Sequence, residues 1–491
     1  MDTTQPHLSI EFSEKFTKKS VLNAYSVSLK KKTKMLVEFS VSNYLSIKDN
    51  ITLSMVASTP VKELEGEEDD LNNVFYDINN KKYLKTAVIY GANGSGKSNL
   101  INAMAFLKGF IQNSSNNSQA DDNIDIIPFL LNSSTEDSPS TFEIVFVVDG
   151  FKYRYGFEAD EKKIYSEWLF GIDLGNSNKE SYYFTRELQS IKTNLKIFKE
   201  GKGIENNTRS NALFLSTVAQ LNGVIATKLQ NWFRYNFNLI SGLHDNTFEY
   251  TIDKLQESTA FKEKTINFLK LINLGIENIT FEEKIISNLL ASIPKLNKEQ
   301  AKLAALLEEL KNEVKTLQQN EDLPSKELVI NSYHKKYDEA NNLIDTIALD
   351  FSLESNGTRK LFALLGPFFE ALENGEVLII DELDAKLHTK LTTELIKLFQ
   401  SKLNDKNAQL IFASHDTNLL RGDLFRRDQI WFTEKDQTGS TDLYSLVEYK
   451  INQAMSVRND ASFEKDYLLG KYGAIPYFGD IKKFLADFTN E

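Results

Sequence analysis

A chain of 491 residues has room for one large domain with insertions or for two to three ordinary domains, at roughly 150 residues each. Its 41% hydrophobic and 26% charged residues, with 8 Pro and 22 Gly, fit a folded globular protein and exclude a disordered or collagen-like one. The lack of cysteine excludes disulfides, thiolate nucleophiles and thiolate zinc sites, and 5 His without ligand spacing leave little for a transition metal. A net charge of -12 provides no global field to attract a nucleic acid, so any such contact must come from a local patch. No apolar run approaches the roughly 18 residues that span a bilayer, so no membrane partner is expected. The opening residues lack the basic and then apolar pattern of an export signal, which makes a cytoplasmic location the expectation.

Residues 1–34 carry Lys15, Lys18, Lys19, Lys30, Lys31, Lys32 and Lys34 against Asp2, Glu11 and Glu14. The preferred reading is a flexible extension; a nucleic-acid-contacting arm is the alternative, which leaves nucleic acid open as a partner. Met35 opens the first strand, where Val37, Phe39 and Val41 alternate with Glu38, Ser40 and Ser42, and the functional protein is expected to begin there. A strand over Lys85 to Tyr90 runs into Gly91 to Ser98 and then an apolar helix. Gln112 to Ala120 is rich in Asn and Ser and reads as an exposed loop. Two β-rich runs flank Asp149-Gly150, a dipeptide suited to a type I′ hairpin. Residues 211–239 have helical spacing, and 252–320 read as mostly helix. Leu303, Leu307, Leu310, Val314 and Leu317 form a heptad seam behind a capping box at Asn297 and Gln300, while Pro294 limits it to a helical hairpin of a few turns.

Four segments carry chemistry. Gly91-Ala92-Asn93-Gly94-Ser95-Gly96-Lys97-Ser98 matches GxxxxGK[ST] between a strand and a helix. In such a loop successive N–H groups face phosphate oxygens, the lysine adds a mobile positive charge, and the serine hydroxyl is placed to ligate Mg²⁺; Asn99 extends the cradle. The apolar run Val377 to Ile380 ends in Asp381 and Glu382, the first suited to hold Mg²⁺ and the second to orient an attacking water. The run Leu410 to Ala413 ends in Ser414 and His415, placing His415 at a strand end near Asp381, within reach of a γ-phosphate. Leu353 to Lys360 is a small-polar turn opening a helix, suited to phosphate at its N-terminus.

The order of these segments resembles an ABC-type ATPase head of the SMC, RecF and OLD kind. The resemblance implies an α/β P-loop NTPase fold, a mixed sheet with an antiparallel β lobe and a short helical insertion. It places an N-terminal lobe at 35–240, the insertion at 241–330 and a C-terminal lobe at 331–491. It also implies ATP and Mg²⁺ as cofactors, with ATP sandwiched between the phosphate loop of one subunit and the signature of another in a homodimer or a larger assembly. Ser355, Gly357 and Thr358 stand in the signature position, Asp381 and Glu382 form the Walker B pair, and His415 is the switch histidine. Lys97, Glu382 and His415 are thus the expected catalytic set. Leu387-His388 replaces the Leu-Asp of transporters and SMC proteins and is similar to the Leu-His of OLD-like ATPases. The sequence assigns no glutamine to the Q-loop role: Gln112 and Gln119 lie in the Asn/Ser-rich stretch and lack supporting context.

The likeness is closer at NYLSIKDNITLSM, ALFLSTVAQLN, SHDTNLL, IWFTEKDQTGSTDLYSL and YLLGKYGAIPYF. Together these resemble the bacterial AAA/ABC-type ATPases of phage-defence and abortive-infection operons, which include RloA-like proteins and are related to the ATPase subunits of the PARIS and Septu systems. This implies a sensor or regulator that gates a separate nuclease-like effector, with a RecF-like DNA-maintenance ATPase as the alternative. The residues after His415 lack the DxD pair of a Toprim nuclease, so an OLD-like fusion is not expected.

Overall fold

The computed structural model describes residues 34–58, 72–116, 119, 121–177, 179–242, 247–285, 326–451, 455–456 and 462–475. The extension over 1–33 and the heptad seam from Leu303 to Leu317 lie outside them. The chain forms two units, residues 1–245 with 367–491, and residues 246–366.

In chain order the first unit contains β1 (Met35–Ser42), β2 (Ile51–Ser54), the pair β3 (Val74–Tyr76) and β4 (Lys82–Leu84), β5 (Thr86–Tyr90) and helix α1 (Lys97–Asn113). It continues with β6 (Ser140–Val148), β7 (Phe151–Ala159), β8 (Ile164–Asp173), β9 (Ser181–Glu187), β10 (Ser190–Thr193), α2 (Phe214–Gln220), α3 (Val224–Tyr235) and β11 (Phe237–Ser241). The second unit supplies α4 (Phe248–Glu257), α5 (Thr259–Leu271), β12 (Ile276–Ile285), β13 (Lys326–Tyr337) and β14 (Leu343–Asp350). Helix α6 (Asn356–Asn374) starts in the second unit and ends in the first, which resumes with β15 (Val377–Asp381), α7 (Thr389–Gln400), β16 (Gln409–Ala413), β17 (Ile430–Lys435), β18 (Thr441–Ser445) and α8 (Phe463–Leu468).

A six-stranded sheet runs β11-β15-β16-β5-β17-β18, with every pair parallel except the last. Its central strands are continuous apolar runs because both faces are covered. Register aligns Ile240, Ile380, Phe412, Val88 and Ile430 in one row, so the loops after β5, β15 and β16 emerge side by side. A seven-stranded antiparallel sheet runs β10-β9-β8-β7-β6-β1-β2. Its β6–β7 turn has Asp149 at φ 53° and Gly150 at φ 81°, the two positive values that a type I′ turn requires. One core joins the inner faces of both sheets through α1 and α3, with Trp232 stacked on Phe146 at 4.3 Å.

In the second unit the helical reading of 252–320 holds for α4 and α5 but fails at β12, which pairs with β13 from Ile276 to Ile285. That run, IENITFEEKI, alternates apolar and polar residues over only part of its length, and its partner lies forty residues away in sequence, so local periodicity could not settle it. Pro367 interrupts α6 and leaves the Ala363 carbonyl without its helical donor. The buried Thr251 hydroxyl donates to that carbonyl at 2.9 Å instead. The first unit is thus an α/β fold in which a glycine-rich loop joins β5 to α1, and a mixed sheet and an antiparallel lobe share a core.

Candidate active site

β5 feeds directly into the loop Gly91–Gly96, and α1 begins at Lys97. Gly94 and Gly96 take φ of 78° and 111°, conformations that favour glycine. Gly96 is constrained twice, because an added Cβ would overlap the Thr441 side chain. Hydroxyls from the β17–β18 hairpin hold the loop from beneath: Ser95 Oγ lies 2.6 Å from Thr433 Oγ1, and Thr441 Oγ1 donates to the Ser95 carbonyl at 2.9 Å. The chain reaches the N-terminal side through Ser46, whose Oγ is 2.7 Å from Thr441 Oγ1 and accepts from Asn99 Nδ2 at 2.6 Å. The loop is therefore preorganised by a buried polar network.

Lys97 donates to the Gly91 carbonyl at 2.7 Å and to the Ala92 carbonyl at 3.2 Å. Burial lowers its pKa, and Asp381, Glu382 and Asp384 act in the opposite sense by favouring the charged form. Asn93, Gly94, Ser95, Gly96, Lys97, Ser98 and Asn99 line a cleft of about 590 Å³ together with Glu382, His415 and Lys435. The loop, Glu382 and His415, which are far apart in sequence, thus face one space.

Glu382 follows β15 with φ 55°, a left-handed turn that is costly for a residue with a Cβ. His415 Nε2 lies 3.9 Å from Glu382 Oε1, and the His415 N–H donates to the Asp384 carboxylate at 3.2 Å. Asp384 so fixes the backbone that carries the histidine. Asp381 Oδ1 is buried without a hydrogen-bond partner among the described residues, an acceptor suited to a cation. The exposed Ser98 hydroxyl, at the cleft, offers a second oxygen of the kind that Mg²⁺ takes. Two protein oxygens are too few to retain the ion alone, so these residues suit a metal that arrives with phosphate oxygens.

Ser355, Gly357 and Thr358 belong to the second unit, where they open α6. Ser355 is its cap: Oγ accepts from the Thr358 N–H at 3.1 Å and lies 2.9 Å from the Thr358 hydroxyl. Glu354, just before it, accepts from Ser332 at 2.6 Å and lies 2.7 Å from His334 Nε2. Sequence reading missed Ser46, Asp384, Thr433, Lys435 and Thr441. Only Asp384 and Lys435 carried a local signal, a carboxylate beside the Asp381-Glu382 pair and a cation at the end of an apolar run.

Among solved structures, the SMC head domain from Thermotoga maritima is 13% identical, with 84% of this chain and 98% of that chain covered at a TM-score of 0.35. The SMC head bound to the C-terminal winged-helix domain of ScpA is also 13% identical, covering 86% and 99% at 0.38. The Pyrococcus furiosus SMC head with an extended coiled coil, bound to the C-terminal domain of ScpA, is 13% identical, covering 86% and 98% at 0.32. No curated protein matches the chain. Residues 87–421, which include the phosphate loop, Asp381-Glu382 and His415, match the family described as "AAA domain, putative AbiEii toxin, Type IV TA system", and the chain belongs to that AAA ATPase family.

Proposed function

We propose that the chain binds Mg-ATP in the cleft at Gly91–Asn99 and hydrolyses it, and that nucleotide state gates a separate effector in a bacterial anti-phage or abortive-infection system. The observation that carries the ATPase reading is the shared cleft of Lys97, Ser98, Glu382 and His415. Backbone N–H groups of the loop and the N-terminus of α1 receive the phosphates. Lys97 exchanges its two carbonyl partners for phosphate oxygens, so its charge meets the developing negative charge without a new desolvation cost. Ser98 and Asp381 would hold Mg²⁺, which would supply neutralisation of phosphate charge. Glu382 accepts a proton from the attacking water, and His415, beside it, orients on the terminal phosphate. Ser355, Gly357 and Thr358 of a second subunit complete the site in a closed homodimer.

The family description, with its abortive-infection toxin and toxin–antitoxin vocabulary, supports the defence setting. Its test is purification of the protein, expressed with its flanking genes, in the presence and absence of ATP. A stoichiometric neighbour gained or released with ATP supports the gated effector. Retained DNA and DNA-stimulated hydrolysis with no protein partner would replace that reading with a RecF-like maintenance ATPase.

A further inference from the structure

We infer that Gly242 is a positioning residue for Glu382; the inference rests on the ATPase reading above. β11 and β15 pair in parallel up to Ser241 and Asp381. At the next step the Gly242 N–H donates to the Asp381 carbonyl at 2.5 Å, and the chain of β15 turns left-handed at Glu382. Gly242 does not itself occupy a positive-φ conformation; glycine is required there for space. A Cβ at residue 242 would overlap the Glu382 carbonyl oxygen and stand 2.5 Å from both the Asp381 carbonyl oxygen and the Glu382 carbonyl carbon. These are backbone atoms, which no rotamer change can move aside.

The next peptide, Glu382–Leu383, is held from its other sides. Leu383 N–H donates to the Ala413 carbonyl at 3.2 Å on β16, and the Glu382 carbonyl accepts from Ala385 N–H at 3.1 Å. The Asp381–Glu382–Leu383 backbone is thus clamped between Gly242 and β16, and the clamp maintains a backbone conformation that Glu382 would not adopt alone. The left-handed turn sends the carboxylate into the cleft beside His415. A displacement of this peptide moves the proton acceptor away from the water it must meet, and shifts of about 1 Å at such a group can cost on the order of 100-fold in rate. Phosphate binding by the loop uses none of these atoms.

The test is Gly242→Ala in the full chain, with steady-state hydrolysis, equilibrium binding of a non-hydrolysable ATP analogue and thermal melting measured on the same preparation. Turnover about 100-fold below wild type with analogue affinity within about threefold supports the inference. Turnover within twofold of wild type overturns it, as does a parallel fall of affinity and turnover, which marks a purely structural role. Wild-type protein that binds ATP but does not hydrolyse it overturns the ATPase reading and this inference together. The same substitution in a Glu382→Gly background gives a second measurement, readable from folding alone. Glycine at 382 frees the peptide to move, so the alanine should lower the melting temperature by several degrees less there than in wild type. An equal cost in both backgrounds overturns the inference.

Discussion

Lys435 enters the cleft two residues after Thr433 on β17, on the same face of the strand, and has no partner among the described residues. A cation facing a polyphosphate site strengthens substrate binding without taking part in bond breaking. Lys435→Ala is therefore expected to raise the KM for ATP about tenfold with kcat changed by less than twofold, measured by steady-state hydrolysis. The loop Gly91–Ser98 and the Asp381-Glu382 pair were legible from sequence because their chemistry is local: a glycine spacing and two carboxylates after an apolar run. Thr433, Thr441 and Ser46 were not, since a hydroxyl beneath a loop is indistinguishable in sequence from any other strand threonine or serine. Only the pairing of β17 with β5 and β18 brings Thr433 and Thr441 under Ser95, and Thr441 in turn meets Ser46.

At the scale of elements, α6 illustrates how burial outside the cleft makes stability depend on pH. Burial pushes the Glu370 carboxyl up from its ordinary 4.5 to about 7, and Glu376 and Glu373 nearby add to the shift. A raised pKa means that the folded chain retains a proton that the unfolded chain has released. Stability is then full below about pH 4.5, falls as pH rises towards about 7, and stays at the lower level above it. Glu370→Gln removes the ionisation, so the variant should be more stable than wild type at pH 8 and indistinguishable from it at pH 4.5, as read from urea midpoints. Elements with strict periodicity, β1 and the β6–β7 hairpin, could be placed from the sequence. β12 could not, because its strand character comes from pairing with β13 across a long intervening segment.

At the scale of the molecule, the six-stranded sheet gathers the chemistry by register alone: parallel strands with apolar cores end together, and the polar residues that follow them share an edge. No helix among the described residues is long and apolar enough to cross a membrane. The proposed dimer has a molecular signature. Glu382→Gln with Mg-ATP should shift to twice the monomer mass in light scattering, and adding Ser355→Arg should return it to monomer. A dimer that persists in the double variant would remove Ser355 from the interface.

The central claim, that Glu382 activates water on ATP held by Lys97 and Ser98, is tested most directly by comparing wild type with Glu382→Gln for both ATP affinity and turnover. The account predicts Mg-dependent hydrolysis by wild type, and in the variant an unchanged affinity with turnover at least about 100-fold lower. Equal turnover in the two proteins, or no nucleotide binding by wild type, would contradict it.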